Sequence, residues 1–379
     1  MRLVVLGPGH PFRGGIARTT TELVAALVRR GHEVLFLTPR RQYPRWAFPG
    51  ASDRDPEACP RLACAEATLD PLDPRRWLAA RRRAAGFAAA AWVIPYWTWV
   101  WAPAWRTLLA RGRPPVVAVV HNPEDHDAGA GQRLAARWVL RRVEGLFTHA
   151  RALAGALERR YPGTPVGWHL LPPPRPRPGP GRAAARERLG LPGDVPVALF
   201  LGIVRPYKGV DILLDAAAQL PPRWRVVVAG EPWGGLGERL ARRAAAPDLA
   251  GRVHLRLGWV PEAEVPVLLD AADVVVLPYR AGSQSAVAPM ALAHGVPVIT
   301  TAVGGLPELV EDGRSGVVVP AGDPAALAGA LAALDRERLA ALAEGARRRA
   351  AALTWDAYAA ALEEVVRAAR VRTVPPAAG

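Results

Sequence analysis

Short apolar runs, almost free of charge, recur along the chain, and each is followed by a longer amphipathic stretch. In the first half "RLVVLG", "HEVLFLT", "PPVVAVVHN" and "LFTHA" read as strands. A strand with one wet face would alternate apolar and polar residues, whereas a continuous apolar run needs cover on both faces. The cover lies between the runs. "GIARTTTELVAALVRRG" is a helix with Ile16, Leu23, Val24 and Leu27 on one face, ended by Gly31, and "GQRLAARWVLRRVEG" is another. Alternating buried strands and helices define an α/β fold with a parallel sheet.

The pattern stops at "PPPRPRPGPGR", residues 172–182, where Pro, Gly and Arg rule out both a helix and a central strand. Beyond it the pattern resumes with "VALFLG", "WRVVVAG", "RVHLRLG", "VVVLP", "PVITT" and "GVVVP". A chain of 379 residues exceeds the roughly 250–300 at which a single core stops growing. The expected organisation is a Rossmann-like domain over 1–172, a stiff linker over 173–182 and a second Rossmann-like domain over 183–352. The C-terminal stretch carries too much helix for one crossover. A helix over 353–370 is expected to return to the first domain, followed by a frayed tail over 371–379.

Composition narrows the function. The only cysteines, Cys59 and Cys64, lack the partners for a zinc quartet and make no disulfide framework, so a reducing cytoplasm is the expected home. "MRLVVLGPGH" is too short an apolar run for a signal peptide. The formal charge of +15 favours anionic partners. Its arginines are spread over many helices with no basic, aromatic-interleaved stripe, which argues against nucleic acid. Ala84–Trp105 is uncharged and long enough to span a bilayer, but Pro95 and Pro103 interrupt it. It reads instead as the end of a helix, a buried strand and a loop rich in Trp97, Trp99, Trp101 and Trp105. Such a loop could line a pocket, meet a membrane surface or belong to the core.

"LGIVRPYKGVDILLDAA" places Arg205 and Lys208 where a strand turns into a helix. A helix N-terminus already carries about +0.5 charge, so two further cations there need an anion between them. A diphosphate fits, with Arg as a planar fork and Lys as a mobile point charge. In "YRAGSQSAVAPMALAHG" the next helix must begin near Ala286, because Pro289 is tolerated only in a first turn. Ser283, Gln284 and Ser285 then form its cap, with backbone N–H groups open to an anion or to sugar hydroxyls. "VGGLPE" opens another helix near Leu306.

The first domain carries "GPGHPFRGGI", a Gly-rich strand-to-helix loop with Phe12 where a dinucleotide fingerprint needs its third glycine. No acid follows the second strand, which argues against NAD; Arg40 and Arg41 leave NADP open. Walker A is absent. "VVHNPEDHD" sets His121 at a strand end, where it could contact a sugar hydroxyl or assist proton transfer. His126, Glu124 and Asp127 could face an acceptor or form a solvated turn, and no metal is expected.

With these motifs in place, "PVITTAVGGLPELVEDGRSGVVVP" and "RGGIARTTTELVAALVRRGHEV" resemble the GT-B-fold glycosyltransferases of family 4, over nearly the whole chain. The resemblance implies two Rossmann-like domains facing across a cleft, and transfer of a sugar from a nucleotide-diphosphate sugar, usually with retention and without a metal or other cofactor. It implies that Arg205 and Lys208 hold the donor diphosphate and that His121 lies near the donor sugar. Gly14 and Gly15 fall near the diphosphate and acceptor, and Glu308 near the nucleotide. Gly202 and Gly230, which close two strands, join Ser283, Gln284 and Ser285 in the donor-binding set. Where many members carry two glutamates that contact the donor sugar and ribose, this chain has Gly282 and Met290. The "SQS" cap resembles the alternative of some members.

The mechanism expected from the resemblance is same-face attack, with a phosphate oxygen taking the acceptor's proton. A nucleotide-sugar epimerase of the same architecture and a nucleotide-sugar-binding protein without activity are the rival readings. The acceptor class suggested by the basic helices and the tryptophan loop is a lipid-linked or envelope glycan, with peripheral contact at the inner membrane.

Overall fold

A computed structural model describes residues 1–43, 52–55, 62–122 and 129–373. The chain divides into two compact units, Met1–Leu171 with Trp355–Gly379, and Pro172–Thr354. Each is built on one parallel sheet.

The strands of the first unit are β1 (Arg2–Leu6), β2 (Glu33–Pro39), β3 (Ala65–Leu69), β4 (Ala91–Tyr96), β5 (Val116–Val120), β6 (Gly145–Thr148) and β7 (Val166–Trp168). They pair in the order β3-β2-β1-β4-β5-β6-β7, all in parallel. The second unit holds β8 (Val197–Leu201), β9 (Arg225–Gly230), β10 (Val253–Leu257), β11 (Val274–Leu277), β12 (Val298–Thr301) and β13 (Gly316–Val319). Their order is β10-β9-β8-β11-β12-β13, again parallel throughout. In each sheet the winding reverses beside the first strand, between β1 and β4 and between β8 and β11. Ligands of open α/β sheets bind outside the carboxyl ends of the strands at such a reversal.

The central strands are fully buried, as their unbroken apolar runs require: Val4, Leu6, Leu35, Leu37, Ile94, Val116 and Ala118 share one core. The two strands that the pattern did not reveal, β3 and β7, lie on the edges of the first sheet. Their sequences, "AEATL" and "VGW", are mostly half-buried, so they lack the continuous apolar signature.

The uncharged stretch around residue 90 also departs from expectation. The helix Pro74–Gly86 stops before "FAAAA", where Ala88 takes φ 51°, and β4 starts at Ala91. The tryptophan segment is not an open loop. It forms a 3-10 turn over Trp99–Trp101 and a helix over Ala102–Leu108. Trp97, Trp101 and Trp105 are buried in the core, and Trp99 is exposed. Trp101 donates Nε1–H to the Gln42 carbonyl at 3.1 Å, and Trp97 donates to the Tyr43 hydroxyl at 2.9 Å. These rings are framework, which removes their claim to a membrane-facing loop. Among the described residues no helix is long and apolar enough to cross a membrane.

From Trp355 the chain rejoins the first unit as the helix Trp355–Thr373. Its anchor is Glu363, which is almost fully buried. Glu363 accepts hydrogen bonds from the Arg30 guanidinium, from His32 Nε2 at 2.8 Å and from Arg367 at 3.1 Å. The Arg30 hydrogen bond is the main cause that lowers the Glu363 pKa to about 2. Because the folded pKa is depressed, this stabilisation is complete above the usual glutamate range and is lost as pH falls toward 2. Glu363→Ala should destabilise the first unit by about 2 kcal/mol, less than a fully buried pair because Arg30 reaches solvent. Thermal unfolding at pH 7 should show a Tm lower by roughly 4–8 °C, and the gap from the parent protein should shrink in acid.

Candidate active site

In the second unit the carboxyl ends of β8, β9, β11 and β12 gather most of the residues singled out in the sequence. Gly202 follows β8 and Gly230 closes β9; Gly202 N–H donates to the Ala229 carbonyl at 2.9 Å. The two following loops run together, with Val204 donating to Glu231 at 2.8 Å and Trp233 to Val204 at 3.0 Å. Arg205 then leads into a 3-10 turn, Pro206–Lys208, and the helix Val210–Gln219. The joint is Gly209, in the left-handed region at φ 66°. A Cβ there would stand 2.0 Å from the Pro278 carbonyl oxygen at the end of β11, so only glycine lets the turn sit against that strand.

The two cations are held by aromatic faces. The Arg205 guanidinium carbon lies 3.5 Å from the centroid of Trp233, and Lys208 Nζ lies 5.4 Å from that of Tyr279. Burial lowers the Lys208 pKa, with the positive charge of Arg205 acting in the same direction. Among the described residues neither cation forms an ion pair with a carboxylate. Other arginines of the second unit do: Arg186 with Asp273, Arg280 with Asp211, and Arg243 with Asp215 and Asp248. A half-buried ammonium beside a guanidinium, without a compensating anion, is a costly arrangement.

The helix runs from Val287 with Ala286 at its N-cap, and Pro289 falls in its first turn, as the sequence requires. Ser285 is buried, accepts from Val287 N–H at 3.2 Å and stands 3.5 Å from the Tyr279 hydroxyl. Its hydroxyl oxygen thus satisfies the first N–H of the helix. Burial pushes the Tyr279 pKa up to about 12, so the phenol stays neutral. Its carbonyl accepts from the Thr301 hydroxyl at 2.6 Å, tying β11 to β12. Ser283 accepts at its carbonyl from Gly305 N–H at 3.0 Å, which brings the second Gly-rich turn alongside. The contact is close: a Cβ on Gly304 would meet the Gly282 carbonyl oxygen at 1.9 Å. Gln284 Oε1 is buried with no hydrogen-bond partner among the described residues. Glu308 is half-buried in the short helix Leu306–Leu309, which Arg349 holds through the Glu308 carbonyl at 2.6 Å. Met290 is buried apolar packing.

In the first unit, Gly14 and Gly15 are exposed at the start of the helix Gly15–Arg29. The preceding loop is pinned where His10 N–H donates to the Thr21 hydroxyl at 2.9 Å and Arg13 N–H to the Asp53 carbonyl at 2.9 Å. His121 follows β5, donating its backbone N–H to the Tyr96 carbonyl at 2.9 Å. Its ring is buried, and desolvation pushes its pKa down to about 3. His126, Glu124, Asp127 and Cys59 lie outside the described residues. Arg41 is engaged by Asp70 through a two-point contact at 2.8 and 3.0 Å, which takes it from any 2′-phosphate and weakens the NADP reading. Among the described residues no three of His, Cys, Asp or Glu could jointly hold a metal ion.

Trp233, Tyr279 and His149 were not singled out in the sequence. Trp233 and Tyr279 lie within three residues of a buried run, in "VVVAGEPW" and "VVVLPY", and that adjacency is the available signal. His149, one residue beyond β6, is a polar residue at a strand's carboxyl end.

Known proteins agree with this architecture. The family described as "Glycosyl transferases group 1" matches residues 195–336, and "Glycosyltransferase Family 4" matches residues 13–174. A D-inositol 3-phosphate glycosyltransferase of Xylanimonas cellulosilytica is 32% identical over 94% of this chain and 92% of its own. Proteins of the same name from Thermobispora bispora and Geodermatophilus obscurus are 43% and 38% identical. Those two matches span 49% and 62% of the relatives' length, and 51% and 70% of this chain. Among solved structures, sucrose-phosphate synthase from Thermosynechococcus elongatus superimposes with a TM-score of 0.78 at 22% identity, covering 98% of this chain and 100% of that one. The catalytic domain of starch synthase IV from Arabidopsis thaliana, bound to ADP and acarbose, gives 0.76 at 14% identity, over 98% and 99%. Anabaena HepE in complex with UDP gives 0.73 at 19% identity, over 97% and 100%.

Two parallel-sheet units with these relatives define a glycosyltransferase of the GT-B fold. The chain belongs to glycosyltransferase family 4, which displaces both the epimerase and the binding-only readings.

Lys208→Met keeps the side chain's length and removes its charge. It should stabilise the ligand-free protein by about 1 kcal/mol, as relief of strain at functional sites commonly does. It should also weaken the thermal stabilisation given by UDP or ADP. Melting curves with and without nucleotide at ~100 times its Kd for the parent protein check both signs.

Proposed function

We propose that the chain transfers a sugar from a nucleotide-diphosphate sugar to an acceptor hydroxyl, with retention at the anomeric carbon and without a metal. The observation that carries this reading is the pair Arg205 and Lys208, braced by Trp233 and Tyr279 and lacking a carboxylate partner among the described residues. A diphosphate leaving group supplies the missing anion. As its bond to the anomeric carbon breaks, negative charge grows on the phosphate oxygens, and the fixed cations stabilise that charge without reorganising. The acceptor oxygen forms the new bond on the same face, and its proton passes to a phosphate oxygen.

Gln284 Oε1 is the acceptor for a donor hydroxyl, in place of the carboxylates that Gly282 and Met290 cannot supply. Gly202, beside Lys208, lets the nucleotide approach the end of β8, and Gly230 packs against the Gly202 carbonyl, with Glu308 near the nucleotide. His121, Gly14 and Gly15 act on the donor sugar, the diphosphate and the acceptor. HepE bound to UDP-glucose and starch synthase IV bound to ADP support a nucleotide-diphosphate ligand for this fold. The relatives named D-inositol 3-phosphate glycosyltransferase support a phosphorylated cyclitol as the acceptor.

UDP, ADP, GDP and their glucose conjugates should be compared by thermal shift. The cognate ligand at ~100 times Kd should stabilise by ~2.7 kcal/mol. Mass spectrometry of reactions with D-inositol 3-phosphate should then show a product heavier by one sugar. Lys208→Ala should cost ~2–5 kcal/mol in kcat/KM, as loss of a buried counter-charge does. Unchanged kcat/KM for every active donor would remove the diphosphate assignment.

A further inference from the structure

His121 does not stand alone behind the carboxyl edge of the first sheet. Its Nδ1 lies 3.0 Å from Nε2 of His149, and His149 Nδ1 lies 3.1 Å from the hydroxyl of Tyr358. The two histidines follow adjacent strands, β5 and β6; Tyr358 belongs to the C-terminal helix. All three side chains are buried. Tyr358 is wedged edge-on against Phe147, with centroids 5.0 Å apart, and lies nearly parallel to His149 at 5.8 Å.

The row has a direction. Burial holds both imidazoles neutral and the phenol protonated. Each ring then carries one proton, and each hydrogen bond needs one donor and one acceptor. Among the described residues the Tyr358 hydroxyl meets His149 Nδ1 and no other acceptor. If His149 Nδ1 were the donor, the buried phenolic proton would have nowhere to go, which is the costly outcome for a buried donor. Tyr358 therefore donates to His149 Nδ1. His149 must carry its own proton on Nε2, and donates it to His121 Nδ1. That leaves the single proton of His121 on Nε2, because the bond made by one ring nitrogen fixes the state of the other.

We propose that Tyr358 and His149 are positioning residues that lock His121 in its Nε2–H form, so that His121 meets its ligand as a hydrogen-bond donor and not as a base. The acceptor it suits is an oxygen of the donor sugar or of the diphosphate. The assignment of His121 to the reaction is the reading given above; the lock itself is a property of the ligand-free protein.

Long-range proton–nitrogen NMR on the full chain with 15N-labelled histidine reads the tautomer directly, with His121→Asn to assign the signal. His121 should show a protonated Nε2 and a bare Nδ1. Tyr358→Phe keeps the ring and removes the donor, and should leave His121 a mixture of tautomers. His149→Gln preserves the direction, accepting at its amide oxygen and donating at its amide nitrogen, and should keep the Nε2–H form; His149→Leu should lose it. Protonated Nδ1 in the parent protein would overturn the proposal, as would a tautomer unmoved by Tyr358→Phe. The parent spectrum decides the direction even if a variant fails to fold.

Kinetics with UDP-glucose and D-inositol 3-phosphate add a separate reading. Tyr358→Phe should lower kcat by about tenfold with KM for UDP-glucose little changed, while His149→Gln retains most of the rate. If His121→Asn leaves kcat untouched, the role of His121 in transfer fails while the lock can still stand. If His121→Asn is inactive and Tyr358→Phe retains full kcat, the positioning role fails.

Discussion

A parallel sheet ends all its strands on one edge. That constraint, imposed twice here, is what the chemistry depends on. Every turn from strand to helix on that edge brings backbone and side chains together from residues far apart in sequence, as Arg205, Trp233, Tyr279 and Gln284 show. Tight joints hold the turns in place. Gly209 brings the cation turn against Pro278, and Gly304 lies against the Gly282 carbonyl. The edge is thereby closely packed.

Close packing keeps two like charges on one edge. The second unit compensates other arginines with carboxylates, as Arg186 with Asp273 and Arg280 with Asp211. At the edge it uses the faces of Trp233 and Tyr279, which attract a cation without cancelling its charge. A carboxylate in their place would neutralise Lys208. Burial, and the positive charge of Arg205, lower the Lys208 pKa.

The first unit solves a different problem with its C-terminal helix. Glu363 fastens that helix to Arg30 and His32 at one point, and Tyr358 enters the aromatic cluster beside β6 at another. The helix completes the core of the first unit although it is the last segment of the chain. Its hydroxyl also ends the hydrogen-bonded row that begins at His121.

The amino-acid order alone determined the two sheets, the break at the Pro-rich segment and the turn bearing Arg205 and Lys208, because continuous apolar runs and Pro/Gly punctuation are local signals. The edge strands β3 and β7 escaped that reading since their half-buried faces leave no continuous run. Ser285 was legible as a cap residue, but not that its hydroxyl would stand beside Tyr279. Trp97, Trp101 and Trp105 had the composition of a binding loop, and only packing decided that they are core. Tyr279 and Trp233 became partners of the cations through strand order, and Tyr358 reached His149 through the return of the last helix. Such pairings depend on which strand lies beside which, a long-range property that no local pattern encodes.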